Sequence, residues 1–457
     1  MLFNQFEFIF LFLPAVVLVF FAVPWREARA AVLAAMSLLF YLFSGFEHLF
    51  VLVGGALWTY VIASGRGAKG SKRRLALAIA GPACALLFYK YAGFLVGNLA
   101  ALGAFGQGAP ASWFTKVVLP AGISFFTFEF IAYAIDRYRG EIATPPGFLN
   151  FLVYVAFFPH LVAGPIVRYG QVAEAISGLR RWRAGVADWS EGAALAIVGL
   201  AMKVLLADAI SSQIAPFVAE PGKLTPLAAA ATVLGFSFQI YFDFFGYSLI
   251  AIGIARFFGF RLPENFRDPY TAPNPREFWR RWHMTLSFWI RDYLYKPLGG
   301  NERYGRNILI VFALCGLWHG AGWNFIVWGL YHAFLVIGYG AVERLWTRLP
   351  VIAQSGLTFV LVSAGWILFL FDFGDAVRVT SSLLGRGTNA LTAESPDLWL
   401  LIASCAFFCF VVNPVKLVRI ESSRAGVAIA YSAGMGLFLL VTVMAMERSA
   451  SFIYFRF

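Results

Sequence analysis

Long apolar blocks separated by short polar turns run along the whole sequence. They cover 8–23, 31–43, 49–63, 75–96, 193–206, 308–317, 325–339, 357–371, 398–412 and 427–446. A helix needs ~20 largely apolar residues to cross a bilayer. Several blocks reach that length once the Trp and Tyr at their ends are added as interfacial anchors. The pattern predicts an all-α, polytopic transmembrane bundle of about eleven spans, with Gly and Pro interrupting the middle of the chain. A single integral membrane domain, 1–457, accounts for it. The breaks are short: a Gly/Ala loop at 103–111, a turn at 142–148 carrying Pro145-Pro146, a polar and basic stretch at 177–188 and a late loop at 385–397. No inverted repeat relates the two halves.

Composition points the same way. Hydrophobic residues make up 60% of the chain and charged residues only 13%, against ~25% charged in soluble domains. So apolar a chain has lipid as its solvent. The opening MLFNQFEF lacks a positive n-region, and Ala28-Arg29-Ala30 falls beyond Pro24, so the first segment reads as a span and not as a cleaved signal.

The net charge of +12 would raise nucleic acid as a partner in a soluble protein. Here the basic residues sit between spans and report topology. Arg26 and Arg29 follow the first span, and Arg66, Lys69, Lys72, Arg73 and Arg74 follow the third. The intervening 44–48 turn has neither Lys nor Arg. By the positive-inside rule the N-terminus faces outside and these loops face the cytoplasm, as do Arg137 and Arg139. Localisation in the cell (inner) membrane follows, with lipids as the constant partner and no nucleic acid. The four cysteines, Cys84, Cys315, Cys405 and Cys409, lie in apolar stretches without a C-x-x-C and read as packing residues.

One segment breaks the pattern. Residues 257–306 concentrate charge between two strong apolar helices, yet they also hold Trp279, Trp282, Phe288, Trp289, Tyr293 and Tyr295, too apolar for a free loop. Prolines bracket a helix expected over 276–295, re-entrant or interfacial. On it Arg276, Arg280, His283 and Ser287 share a face that can meet a phosphate, a carboxylate or an oxyanion, or equally lipid phosphates. Phe278, Trp282, Leu286 and Trp289 form another face, suited to packing or to an acyl or pantetheine chain.

Five histidines are available. His319 ends an apolar run in Leu317-Trp318-His319-Gly320, and ionisable groups at membrane depth are costly enough to be functional by default; the plainer reading is a buried imidazole bonded to a carbonyl. His160, in Pro159-His160-Leu161-Val162-Ala163-Gly164-Pro165, sits where prolines and a glycine break the helix, as in a cavity wall. His48 and His332 read as structural. Asp243 is a lone acid in an apolar run and needs a partner, with an Arg of the central segment the expected one. No G-x-S-x-G, Walker loop or G-x-G-x-x-G is present, and the histidines are too scattered for a metal site. A His beside Arg and Trp, without a nucleophile, suits group transfer in which His deprotonates a hydroxyl that attacks a thioester.

Residues 115–335 resemble the membrane-bound O-acyltransferases, and within them the alginate O-acetylase-like bacterial branch. The resemblance rests on Leu119-Pro120-Ala121-Gly122-Ile123-Ser124, Ile135-Asp136-Arg137-Tyr138, Phe158-Pro159-His160, Tyr241-Phe242-Asp243-Phe244 and Glu264-Asn265-Phe266. It is strongest at Glu277-Phe278-Trp279-Arg280-Arg281-Trp282-His283, Arg291-Asp292-Tyr293-Leu294-Tyr295, Leu298-Gly299-Gly300-Asn301 and Gly316-Leu317-Trp318-His319-Gly320-Ala321; the ending Phe452-Ile453-Tyr454-Phe455 also looks familial. It implies His319 as the catalytic residue, with His283 assisting. Trp279, Arg280, Arg281, Trp282, Asp292, Trp318, Asp243 and His160 are expected along the donor site or tunnel.

The fold implied is a ring of tilted helices around a tunnel whose cytoplasmic mouth takes the thioester. No bound cofactor or metal is expected; acetyl-CoA or another acyl thioester is the donor. The final acceptor is an exported polysaccharide or cell-wall polymer, reached through a periplasmic or outer-face serine acetyltransferase. Phe245, where the alginate-type motif has a small Ser, and a shorter C-terminal part bear on the acceptor and not on the reaction. A D-alanyl transferase is the nearest alternative. A lipid or glycan transporter would show matching broken helices in both halves, whereas the ionisable cluster lies in one half only; a structural subunit of an export complex is a third reading.

Overall fold

A computed structural model describes residues 1–65, 67, 69–103, 117–387, 390–413, 415, 418 and 425–446. Arg66, most of the Gly/Ala loop at 103–111 and the Phe452-Ile453-Tyr454-Phe455 ending fall outside the described residues. The fold is helical throughout, with no β-strand among the described residues. Among the described residues six helices are long and apolar enough to span a membrane, and three shorter apolar ones accompany them. Large apolar side chains such as Leu18, Phe50, Val61, Phe334, Val360, Leu400 and Met444 stand exposed on the helix surfaces. In water that would be a liability; facing hydrocarbon it is the expected state.

The chain forms two compact units, Met1–Gly192 with Ile254–Pro263, and Ala193–Gly253 with Glu264–Phe457. No linker in the sequence marks the division. The first unit is built on α1 (Leu13–Ala22), α2 (Arg29–Leu42), α3 (Phe46–Ser64), α4 (Lys72–Leu86) and α5 (Ile123–Arg139). Ser71 caps α4 by accepting from the Arg74 N–H at 3.3 Å. Buried cations here are met by main-chain oxygens. Arg29 donates to the Trp182 carbonyl at 2.7 Å, and Arg137 to the carbonyls of Ala63 at 3.3 Å, Ala143 at 3.0 Å and Ile142. Arg29 and Arg137, counted above among the topology signals, are therefore also structural ties.

Six labelled helices carry the second unit: α6 (Pro226–Phe257), nearly all of it here and buried over most of its length, α7 (Pro275–Arg281), α8 (Met284–Ile290), α9 (Tyr304–His319), α10 (Trp323–Trp346) and α11 (Val351–Leu370). The single helix expected over 276–295 does not form. It breaks at Trp282, whose backbone is extended, and at His283, whose backbone is left-handed at φ 44°. The reason lies in a neighbouring segment. Arg267 N–H donates to the Arg281 carbonyl at 3.0 Å, and Met284 N–H to the Asn265 carbonyl at 2.9 Å. These two bonds flank His283 and replace the helical bonds that a continuous helix would have made. A left-handed non-glycine residue costs roughly 1–2 kcal/mol, so the surrounding structure must impose it.

Candidate active site

The second unit places three of the sequence candidates, Trp279, Arg280 and His283, on the wall of one cavity, with Trp318 and His319 behind His283 and not on that wall. Asn274 caps α7 by accepting from the Glu277 N–H at 2.9 Å, with Pro275 at the first helical position. Arg276 ties α7 to α10, donating to the Val336 carbonyl at 3.3 Å and lying 3.6 Å from Glu343. Trp346 of α10 in turn donates to the Pro273 carbonyl at 2.8 Å. So anchored, α7 presents Trp279 and Arg280 to a cavity of about 210 Å³, whose wall is continued by His283, Leu286, Ser287, Arg291, Val311, Phe312 and Cys315. The lining is mostly apolar, with two guanidinium groups. Arg280 is also held by Glu277 at 2.6 Å and remains largely exposed.

His283 is buried, and it lies outside the candidate spans. Its Nδ1 is 3.0 Å from Asn265 Oδ1. Burial pushes its imidazole down to about 3, so the ring is neutral at working pH. Trp318 lies beside it, ring centroids 6.0 Å apart, and His319 stands against Trp318 at 4.8 Å. His319, 4% exposed, is the last residue of α9 and meets Trp328 edge-on at 5.1 Å and Phe369 at 5.4 Å. Its position is set by a close crossing of α9 and α10. A Cβ at Gly316 would overlap the Phe325 carbonyl oxygen, and one at Gly329 the Phe312 carbonyl oxygen. Only glycines let these two backbones touch.

The structure gathers Trp279, Arg280, His283, Trp318 and His319 and sets the other candidates apart. Trp282 is buried among Phe266, Tyr270, Phe278 and Trp366, as a packing residue of the core. Arg281 turns to Thr271 at 3.4 Å and Glu277 at 3.8 Å. Asp292 pairs with Arg291 at 2.8 Å and Lys296 at 2.7 Å. His160 belongs to the first unit, where it is buried with its Nδ1 3.0 Å from Glu129. The cation found on Asp243 is a lysine and not the expected arginine of the central segment. It is Lys203, at 2.7 Å, which also holds Asp208 at 2.5 Å. Lys203 lies within the apolar run 193–206; one turn of helix brings it opposite Asp208, and a buried ammonium needs such neighbours.

Two residues of the site went unmarked in the sequence. Asn265, noticed only as part of a motif, turns out to be the partner of His283. His332, read as structural, is fully buried against Trp279 and Trp328, ring centroids 5.0 and 5.1 Å away. The signal for His332 was available: a histidine 13 residues past His319 on the next apolar helix.

A buried imidazole at a helix end and a second one on the wall of an apolar cavity suit acyl transfer. The family model for membrane-bound O-acyltransferases matches residues 123–371, and the chain belongs to that family. It is an integral membrane enzyme that transfers acyl groups. The probable alginate O-acetylase of Pseudomonas syringae pv. tomato is 36% identical over 401 residues, covering 82% of this chain and 76% of that protein. The peptidoglycan O-acetyltransferase of Helicobacter pylori is 33% identical, covering 87% and 82%. The teichoic acid D-alanyltransferase of Bacillus subtilis is 30% identical over 54% of this chain and 68% of that protein.

Proposed function

We propose that this enzyme takes an acetyl or other short acyl group from a cytoplasmic thioester and passes it across the inner membrane, for O-acylation of an exported polysaccharide or cell-wall polymer. The cavity carries the reading: an apolar groove with Arg280 and Arg291 on its wall and His283 within it. Guanidinium groups suit the phosphates of a donor such as acetyl-CoA, and the apolar lining suits its pantetheine arm. The names of the relatives support a polymer as final acceptor, since alginate, peptidoglycan and teichoic acid are all exported polymers. Acetyl is favoured over D-alanyl because the two acetyl-transferring relatives align over far more of the chain.

In this reading His319 is the general base. It takes the proton of the attacking hydroxyl as the oxygen bonds to the thioester carbonyl, and the carbon–sulfur bond breaks. The proton then goes to the departing thiolate, leaving an ester and a free thiol. The hydroxyl belongs to a separate serine-dependent acetyltransferase on the outer face, which hands the acyl group on to the polymer. The test is reconstitution in sealed vesicles with labelled acetyl-CoA on one side and the candidate partner on the other. Acylated partner is expected only with donor on the cytoplasmic face and His319 intact. Polymer acetylation by this chain without a partner would overturn the relay.

A further inference from the structure

His283 has two ring nitrogens, and the structure fixes which of them carries the proton. Asn265 Oδ1 lies 3.0 Å from His283 Nδ1, 2.9 Å from Thr285 Oγ1 and 3.4 Å from the Thr285 backbone nitrogen. A backbone N–H can only donate, so the atom facing it is the amide oxygen. The other end of the same amide, Nδ2, donates to Ser248 Oγ at 3.2 Å. Turning the amide over would set two donors against each other at Thr285. With an oxygen at that place, His283 Nδ1 must be the protonated nitrogen. Nε2 then carries the lone pair, and among the described residues it is buried with no hydrogen-bond partner.

The backbone reinforces this placement. Asn265 accepts the Met284 N–H through its carbonyl while its side chain holds the His283 ring, so one residue fixes both the left-handed turn and the imidazole above it. The ring's other neighbours are Phe244 and Trp318, at 4.6 and 6.0 Å, neither of which can protonate it. The titratable groups that share the cavity wall with it are Arg280, Arg291, Tyr295 and Cys315. On a residue of the same cavity wall, Trp279 Nε1–H is likewise buried without a partner among the described residues. Two residues of the cavity wall thus carry one unused acceptor and one unused donor, each buried at that wall. Buried polar groups left over in this way call for a complement from a ligand or water. A secondary amide, as in a pantetheine arm, supplies both halves: a carbonyl for Trp279 and an N–H for His283.

We propose that Asn265 is the positioning residue of the site, holding His283 as the Nδ1–H tautomer so that Nε2 accepts a hydrogen bond from an amide of the bound thioester arm. This rests on the acyltransferase reading above. The tautomer itself is measured without substrate, by nitrogen NMR of full-length protein labelled with 15N-histidine in bilayers, with His283→Asn identifying the His283 signals. Wild type is expected to show a protonated Nδ1 and a bare Nε2. Asn265→Leu loses that preference and raises KM for the thioester by up to ~10-fold, the loss of about one buried hydrogen bond, with kcat changed less. Asn265→Asp keeps an acceptor in place, so Nδ1 stays protonated and activity is partly restored.

A proton on Nε2 in the wild type, or an unchanged tautomer in Asn265→Leu, overturns the proposal. If Asn265→Leu does not fold, the wild-type and Asn265→Asp spectra decide it. The expected tautomer in a protein that never cleaves a pantetheine thioester would sink the functional reading and leave the role of Asn265 standing.

Discussion

The ammonium of Lys203 lies 2.7 Å from a carboxylate oxygen of Asp243, and both side chains are 2% exposed. With Asp208 also on Lys203, the group joins one cation to two acids inside a candidate span and the buried α6. Removing one partner of a buried ion pair costs roughly 3–5 kcal/mol, because the other charge stays buried alone. Lys203→Met takes from two buried acids the cation they share, while Asp243→Asn leaves Lys203 with Asp208. Thermal unfolding in detergent is therefore expected to show a clear loss for both variants and the larger loss for Lys203→Met. Equal stability of Lys203→Met and wild type would show that the ions do not hold this region together.

At His319 the expectation concerns chemistry and not folding. His319→Ala removes a group proposed to contribute ~100- to 10,000-fold. Acyl transfer should fall by that factor, while membrane insertion, yield and melting temperature stay near wild type. Full transfer activity in this variant would remove His319 from the reaction.

Gly329→Ala tests how the same histidine is held. The added methyl would overlap the Phe312 carbonyl, a main-chain atom that no side-chain rotation can move aside. The helices must part, so both melting temperature and kcat should drop. Gly338→Ala, on the same helix where a Cβ meets nothing within 4 Å, is the control and should leave both unchanged.

For pH the sign follows from His283. Its imidazole is neutral in the fold, pushed down to about 3 by burial, whereas an unfolded histidine titrates near 6.5. The unfolded chain therefore binds one more proton through this window. This residue makes the fold lose stability as pH falls from about 6.5 toward 3. His283→Asn, which tolerates the left-handed backbone, should lose less melting temperature between pH 7.5 and pH 5 than wild type does. An identical loss in the two proteins would contradict the buried, neutral state.

Topology is tested by cysteines placed at Ser71 and Asn301, in loops proposed to be cytoplasmic, in a background whose native exposed Cys84 is replaced. Both should resist a membrane-impermeant thiol reagent in intact cells and react after lysis. Labelling of Ser71→Cys in intact cells would reverse the proposed orientation.

Much of this was legible because it depends on local pattern. The apolar blocks predicted most of the long helices, though none of them covers α6, and the dense charge around 257–306 with interleaved tryptophans marked the segment that supplies Trp279, Arg280 and His283 to the cavity. What stayed hidden depends on distant contacts. The break at His283 comes from segment 264–267 lying alongside, which no helical periodicity encodes. An arginine looked the natural partner for Asp243, because Lys203 is 40 residues away and is embedded in an apolar run. Arg281 and Trp282 share a motif with Arg280 and His283, yet the break turns them elsewhere, so motif membership did not translate into a place on the cavity wall.

The backbone-to-backbone crossing at Gly316 and Gly329 has a bearing on how such an enzyme can diverge. Main chain against main chain is an incompressible seam, so the depth of His319 is set by two glycines and not by adjustable side chains. The opposite is true of Leu286, Val311 and Cys315, ordinary side chains on the cavity wall whose volume can change by single substitutions. Under the proposed function, selection for a differently shaped donor arm can act on those walls while the His319 imidazole keeps its station. Chemistry and donor size are thereby separate, independently evolvable properties of one helix pair and its surroundings.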